Sequence, residues 1–85
     1  MLVLERSSQE NEIIIDNRVI IQFVSADTRR HLARIFVRDP ASTLQCHDLP
    51  KGEWLVISPN VKLMIVSVLS RRKVKIGIKA PKHIT

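Results

Sequence analysis

Two groups of side chains in this 85-residue chain have types and spacings that suggest chemistry. Cys46-His47-Asp48 places a thiol, an imidazole and a carboxylate in a row, and these are zinc ligands and components of Cys-His nucleophilic sites. Arg29-Arg30 and Arg71-Arg72-Lys73 are two basic clusters 42 positions apart. Arginine and lysine are the residues that contact the phosphates of nucleic acids. The sequence therefore offers a compact ligand cluster and a repeated polyanion-binding pattern.

Strand geometry argues against the ligand cluster. Neighbouring side chains of a strand point to opposite faces, so Cys46 and His47 do not reach one zinc ion or act as a catalytic pair without distortion. The sequence has no Gly-rich phosphate loop, zinc-finger spacing or paired acidic motif. His31 and His83 lie among basic residues and are interpreted as surface groups. We therefore expect no enzyme activity, no metal and no cofactor.

Composition favours a polyanionic partner. Lys+Arg number 14 against 8 Asp+Glu, a formal net charge of +6. Such a balance favours a partner such as nucleic acid, but basic surfaces are also common for solubility alone. The 45% hydrophobic content is sufficient for the core of one small domain. Without an 18-residue apolar run or a signal-peptide core, we expect no membrane span. One cysteine excludes an internal disulfide and fits a cytoplasmic protein.

The elements that must position the basic clusters are predicted to be strands. The run Val74-Lys-Ile-Gly-Ile-Lys79 alternates apolar and basic residues with period two, and pairs with 61–68 as a hairpin. Further strands are predicted at 1–4, 13–15, 19–24, 32–38, 43–47 and 54–57. Turn signals lie at Asp16-Asn17 and Leu49-Pro50-Lys51-Gly52. A helix over 25–36, with Asp27-Thr28 near its start, is the competing interpretation.

An internal repeat favours strands over that helix. Ile13-Ile14-Ile15 matches Leu55-Val56-Ile57 and Val24-Ser25 matches Val66-Ser67, both at 42 positions. After a one-residue slip, the stretch 34–40 matches 75–81, and both stretches end in proline. The order strand, turn, strand, Arg-Arg turn and basic strand therefore occurs twice. We expect one domain, 1–85, made of pseudo-repeats 1–48 and 49–85 that bury each other's faces.

Three segments resemble a known family. Met1-Leu-Val-Leu-x-Arg6, Gly52-Glu53 and Val74-Lys-Ile-Gly-Ile-Lys-Ala-Pro-Lys82 resemble the carbon storage regulator (CsrA/RsmA) family of bacterial translational regulators. The resemblance implies an all-β fold of intertwined mixed sheets, here a tandem pseudo-dimer in one chain without the C-terminal helices. The first copy would take 43–47 as its fifth strand. The second would begin near Gly52 and lack a first strand.

The same resemblance implies the function. It predicts an RNA-binding post-transcriptional regulator that represses translation by recognising GGA-type loops in mRNA leaders or small RNAs. Leu4 and Arg6 match the first-strand contacts, whereas Ser7 replaces the family's second arginine and His47 its fifth-strand arginine. The residues expected to contact RNA are Leu4, Arg6, His47, Lys82 and Ile84, together with Arg29, Arg30, Arg71, Arg72 and Lys73 from the basic turns.

Other interpretations stay open at this point. The basic turns are also compatible with ordinary solvated loops, and Arg6 with pairing to Glu5 or Glu10. Trp54 lies in an apolar run and is expected in the core, so an aromatic platform for bases is not expected. The alternative function is a degenerate protein-binding or antagonist module of the same family, which docks another regulator or a protein antagonist and has weak or no specific RNA binding. A DNA-binding β-ribbon is a third function, and the open edge of the second copy favours a homodimer.

Overall fold

The computed structural model describes residues 1–15, 18–39 and 44–80, and every regular element in them is a strand. The strands are β1 Leu2–Ser7, β2 Glu12–Ile15, β3 Val19–Asp27, β4 Leu32–Arg38, β5 Gln45–Pro50, β6 Trp54–Ser58, β7 Val61–Ser70 and β8 Lys73–Lys79. The all-β prediction is confirmed, and residues 28–31 form a turn where the competing helix would run. The turn signal at 16–17 and the prolines at 40 and 81 lie outside the described residues.

The strands form two four-stranded sheets. Sheet A has the order β1-β8-β7-β6 and sheet B the order β2-β3-β4-β5. Every strand pair within them is antiparallel, so the expectation of mixed sheets is wrong for the described strands. The reason lies in the connections, because short turns join neighbouring strands and a parallel pair needs a long crossover. A single parallel bridge, Lys51 to Ile65, links the end of β5 to sheet A.

One apolar core lies between the sheets. In β8, Val74, Ile76 and Ile78 are buried while Lys73, Lys75 and Lys79 are exposed, as the period-two pattern predicts. The buried hydrophobic residues of both sheets belong to one cluster. They are Ile13, Ile15, Val19, Ile21, Phe23, Ala33, Ile35, Val37, Leu49, Val61, Leu63, Ile65, Val74, Ile76 and Ile78. Burial of each large side chain stabilises the fold by about 1.5–3 kcal/mol, so each sheet depends on the other.

Three strands of each sheet come from one half of the sequence, and the fourth strand comes from the other half. β1 joins β6–β8 in sheet A, and β5 joins β2–β4 in sheet B. The registers also correspond. β1 pairs with β8 from Leu2↔Ile78 to Ser7↔Lys73, and β5 pairs with β4 from Gln45↔Val37 to Pro50↔Leu32. Leu2 and Gln45, 43 positions apart, therefore hold the same place in two equivalent ladders.

The bulges repeat as well. The ladder of β3 and β4 shifts at Val24, and that of β7 and β8 shifts at Val66, 42 positions later. The one-residue slip in the repeat lies in the turns. Residues 28–31 connect β3 to β4 with His31 at φ 53°, whereas two residues connect β7 to β8 beside a second bulge at Leu69. Bulges bend and twist a strand, so both sheets bend at this place, while sheet A alone has further register shifts at Ile57 and Leu69.

The fifth strand differs from its predicted bounds. We expected a strand over 43–47 and a turn at Leu49-Pro50, but β5 spans Gln45–Pro50 and Thr43 lies outside the described residues. Leu49 faces the core and is buried, so the strand extends through it. Pro50 is tolerated at the strand end, where its missing N–H is least needed. The turn follows at Gly52, whose φ of 85° suits glycine and whose N–H donates to the Ile65 carbonyl at 2.9 Å.

Candidate nucleic-acid interface

β1 forms one edge of sheet A among the described strands and carries Leu4 and Arg6. Both side chains are on the inward side, because Leu4 lies opposite Ile76 and Arg6 opposite Val74, and directly paired residues share a face. Leu4 is half-buried and packs against the core cluster. It therefore combines a packing role with partial exposure at the sheet edge.

Arg6 spans the gap between the sheets. Its Nε donates to the Glu12 carbonyl at 2.9 Å, and its Nη1 donates to the Glu5 carbonyl at 2.9 Å. Glu12 begins β2 in sheet B, so the guanidinium connects the two edge strands. The acceptors are backbone carbonyls and not the carboxylates that we considered. These two bonds use two of the five N–H donors of a guanidinium.

β5 places His47 where β1 places Leu4. His47 lies opposite Ile35, on the inward side, while its neighbours Cys46 and Asp48 face outward. The His47 Nε2 lies 3.2 Å from Gln45 Oε1. The side chains of Cys46-His47-Asp48 are thus divided between two faces, and the described part of the chain has no group of three potential metal ligands.

Asp48 is paired with an arginine. Arg34 Nε donates to Asp48 Oδ1 at 2.8 Å and Nη2 to Oδ2 at 3.2 Å, an arrangement with two parallel bonds. These hydrogen bonds lower the pKa of the Asp48 carboxyl and raise that of Arg34. The carboxylate therefore serves a cross-strand ion pair on the outer face of sheet B.

The first basic turn is ordered by Asp27. Its Oδ1 accepts from the backbone N–H groups of Arg29 at 2.9 Å and Arg30 at 3.1 Å. The hydrogen bond from Arg30 is the main cause of a lowered pKa at Asp27. Arg30 Nε lies 3.9 Å from Asp27 Oδ2, and its side chain is well exposed. The backbone is fixed while the guanidinium remains accessible to solvent.

The second basic turn is held by both sheets. The Arg71 carbonyl accepts from Ala26 N–H at 2.9 Å, and the Arg72 carbonyl accepts from Ser8 N–H at 3.0 Å. Ala26 lies near the end of β3 in sheet B, one residue before Asp27, and residues 28–31 of the first basic turn follow. Ser8 comes directly after β1 of sheet A. The structure therefore brings both basic turns and the Arg6 end of β1 to one region.

This region is called the basic corner below. It comprises Arg6, Arg29, Arg30, Arg71, Arg72 and Lys73. Lys73 also lies 3.6 Å from Glu5 Oε2. The two remaining predicted RNA contacts, Lys82 and Ile84, lie outside the described residues.

Trp54 corrects a prediction. It lies opposite Met64 on the outer face of sheet A and is 40% exposed, so it is not a core residue. Lys62 Nζ lies 5.2 Å from the centroid of its ring. Leu55 and Ile57, which alternate with the exposed Trp54 and Val56 along β6, pack against the core instead. The alternation was present in the sequence but was hidden because every residue from 54 to 57 is apolar.

In comparisons with known proteins, the chain matches no family model, no curated protein and no solved structure. A search of the described residues for a helix of sufficient length and apolarity to cross a membrane found none.

Proposed function

We propose that this chain is an RNA-binding post-transcriptional regulator, built as a tandem pseudo-dimer of units like those of the carbon storage regulator family. The observation that carries the proposal is the exchange of β1 and β5 between the sheets in equivalent registers. That exchange is the single-chain counterpart of an intertwined dimer. The equal placement of the bulges at Val24 and Val66 supports the same reading.

The pairing suggests a revised boundary between the units. β5 pairs with β4 as β1 pairs with β8, so we infer that β5 is the first strand of the second unit. The second unit then begins before Gln45, and both units contribute a first strand. We therefore no longer assign His47 the role of the fifth-strand arginine, because His47 occupies the position in β5 that Leu4 occupies in β1.

The basic corner is the proposed RNA site. Arg29, Arg30, Arg71 and Arg72 supply phosphate contacts from turns whose backbones are already ordered by hydrogen bonds. Preorganised groups lose less conformational entropy on binding. The adjacent edge of β1 presents backbone groups to bases, with Leu4 beside them.

The two edges are unequal, and we therefore propose one RNA site of this type per chain. The place of Arg6 in β1 is taken in β5 by Leu49, which is buried and offers no cation. The place of Leu4 is taken by His47. Titration of a GGA-loop hairpin should give a stoichiometry of one RNA per chain.

The test compares a GGA-loop hairpin with a scrambled-loop hairpin over a range of salt concentrations. Each phosphate contact to a single strand contributes about −0.7 to the slope of log affinity against log salt, so several contacts should give a slope of about −2 or steeper. Arg71→Ala should weaken binding and flatten the slope by about 0.7. Arg18→Ala is the matched control, because Arg18 is exposed in the turn before β3, at the end away from the basic corner.

Equal affinity for the two hairpins would overturn the sequence-specific function. If Arg6→Ala also left that affinity unchanged, the protein-binding antagonist module would become the better account. Preference for duplex DNA over both hairpins would favour the DNA-binding β-ribbon.

A further inference from the structure

The outward positions of the two sheets carry different charge. Facing outward on sheet A are Lys62, Lys73, Lys75, Lys79 and Glu5. Facing outward on sheet B are Glu12, Asp27, Arg34, Arg38 and Asp48. Four cations and one anion thus cover sheet A, whereas two cations and three anions cover sheet B. The excess positive charge of the strands is concentrated on the outer face of sheet A.

One row of outward residues differs too. One row across sheet A consists of Val3, Gly77, Met64 and Trp54. The corresponding row across sheet B consists of Cys46, Phe36, Gln22 and Glu12. The last residue of the row in sheet A is therefore Trp54, with an exposed indole ring, whereas the equivalent residue in sheet B is Glu12, with a carboxylate.

Next to Trp54, two lysines oppose each other. Lys62 and Lys79 are directly paired across β7 and β8, and like charges at such positions are destabilising. Among the outward residues of sheet A, the carboxylate of Glu5 lies 3.6 Å from Lys73, at the other end of β8. Lys62 lies over the Trp54 ring, which attracts its cation. An anion between the two lysines would relieve their repulsion.

We propose that this outer face binds single-stranded RNA without sequence preference. A base replaces the Lys62 ammonium over the Trp54 ring, and the displaced ammonium and Lys79 hold a backbone phosphate between them. Val56 and Met64 flank the ring and provide apolar contact to the sugar and base. The site is separate from the basic corner and uses none of its arginines. It would hold the strand that flanks a specifically bound loop.

A nucleotide fits this face better than an acidic peptide does. It carries a flat π surface and an anion in one unit, which matches an indole beside a lysine pair. Stacking of a base on an aromatic side chain is sequence-tolerant, and salt-dependent phosphate contacts accompany it in sheets that bind single strands. An acidic peptide would match the lysines and leave the ring without a stacking partner.

The experiment uses the single tryptophan of the chain, which has no tyrosine, as its own reporter. We expect an eight-nucleotide oligouridylate to quench Trp54 fluorescence to saturation at low salt. The double variant Lys62→Gln/Lys79→Gln should lose at least fivefold in affinity. Its salt slope should flatten by about 0.7, because the single phosphate held between the two lysines is no longer neutralised. Arg38→Gln is the matched control, because Arg38 holds the place of Lys79 on sheet B, and its affinity should stay within twofold of the unaltered protein.

A second pair of variants isolates the ring. With a labelled oligouridylate followed by anisotropy, Trp54→Leu should lose at least fivefold in affinity, because a stacked base contributes about 1–3 kcal/mol. Trp54→Phe should recover part of that loss, whereas a merely apolar contact would be satisfied by leucine. Leucine keeps the position apolar, so the fold should be retained, and this is checked by circular dichroism.

Failure of this proposal can be separated from failure of the regulator function. Absence of quenching, or equal affinity of the Lys62→Gln/Lys79→Gln variant, overturns the face site even if the GGA-loop hairpin is bound specifically. Oligouridylate binding that weakens in Trp54→Leu and in the lysine double variant supports it even if the two hairpins bind equally. A polyglutamate peptide that displaces the oligouridylate at equal charge concentration would instead assign the face to an acidic protein, and would also overturn the proposal.

Discussion

The strand pairs of sheet A and sheet B have corresponding registers, but the residues on the outer faces of the two sheets differ. At inward places that correspond, aliphatic residues recur, as with Ile76 and Ile35 or Ile78 and Val37. At corresponding outward positions the residues differ: Trp54 of sheet A is equivalent to Glu12 of sheet B, and Gly77 is equivalent to Phe36. The comparison teaches that packing between the sheets restricts one face of each strand. The other face is free to acquire a separate chemistry.

The largest expected effect tests whether the corresponding core positions belong to one core. Ile35 and Ile76 are fully buried at equivalent places in β4 and β8. Replacement of either by alanine should lower the free energy of unfolding by about 2–5 kcal/mol, through lost burial and the cavity left behind. Urea denaturation of both variants should show one transition shifted by similar amounts. Ile20→Ala, at a half-buried outward position, is the control and should have the smaller effect.

Two separate transitions, each sensitive to only one of the variants, would contradict the shared core. The sheets would then be independent units, and the reading of the fold as an interlocked pair would fail.

The second prediction concerns the two edges, where Arg6 in β1 corresponds to Leu49 in β5. Arg6→Leu makes the two edges alike at this place. We expect a change in unfolding free energy within about 1 kcal/mol, because two hydrogen bonds to carbonyls are exchanged for apolar burial. Affinity for the GGA-loop hairpin should fall at the same time, since the cation is removed. Unchanged hairpin affinity, measured beside Arg18→Ala, would remove Arg6 from the RNA site.

Part of this arrangement was readable from the sequence. Alternation in Val74-Lys-Ile-Gly-Ile-Lys79 identified β8, and the repeat identified the shared hairpins and favoured strands over a helix at 25–36. The extent of β5 was missed because Leu49-Pro50 has the composition of a turn, and only the core shows that Leu49 is buried. The exposure of Trp54 was missed because an uninterrupted apolar run carries no period. Contacts such as Ala26 to Arg71 join distant residues and leave no local signal.

The third prediction sharpens the contrast between the outer faces without any RNA. Trp54 is exposed beside Lys62, so an anionic quencher should reach it more readily than a cationic one. The ratio of the iodide to the caesium quenching constant, at equal ionic strength, should therefore be higher than for free N-acetyltryptophanamide, because local positive charge concentrates anions. Lys62→Gln should reduce this ratio, and Arg38→Gln on sheet B should leave it unchanged. A ratio equal to that of the free amide would show that this face is not basic.

The smallest expected effect concerns the ion pair on sheet B. Arg34 donates two hydrogen bonds to Asp48 and lowers the pKa of that carboxyl below its ordinary value of 3.8. The folded state therefore favours the charged carboxylate. The stabilisation is fully present above about pH 3.8 and is lost as pH falls through the lower folded value. Asp48→Asn should lower the thermal midpoint slightly at neutral pH, and the difference from the unaltered protein should shrink in acid.

Arg34→Gln separates this linkage from a general effect of charge. Removal of the donor should return the pKa of Asp48 towards 3.8, which a carboxyl NMR titration measures directly. Because the pair is exposed, solvent screens it, and the shift in thermal midpoint should be smaller than for either core variant. A pKa for Asp48 that is the same with and without Arg34 would show that the pair does not persist in solution.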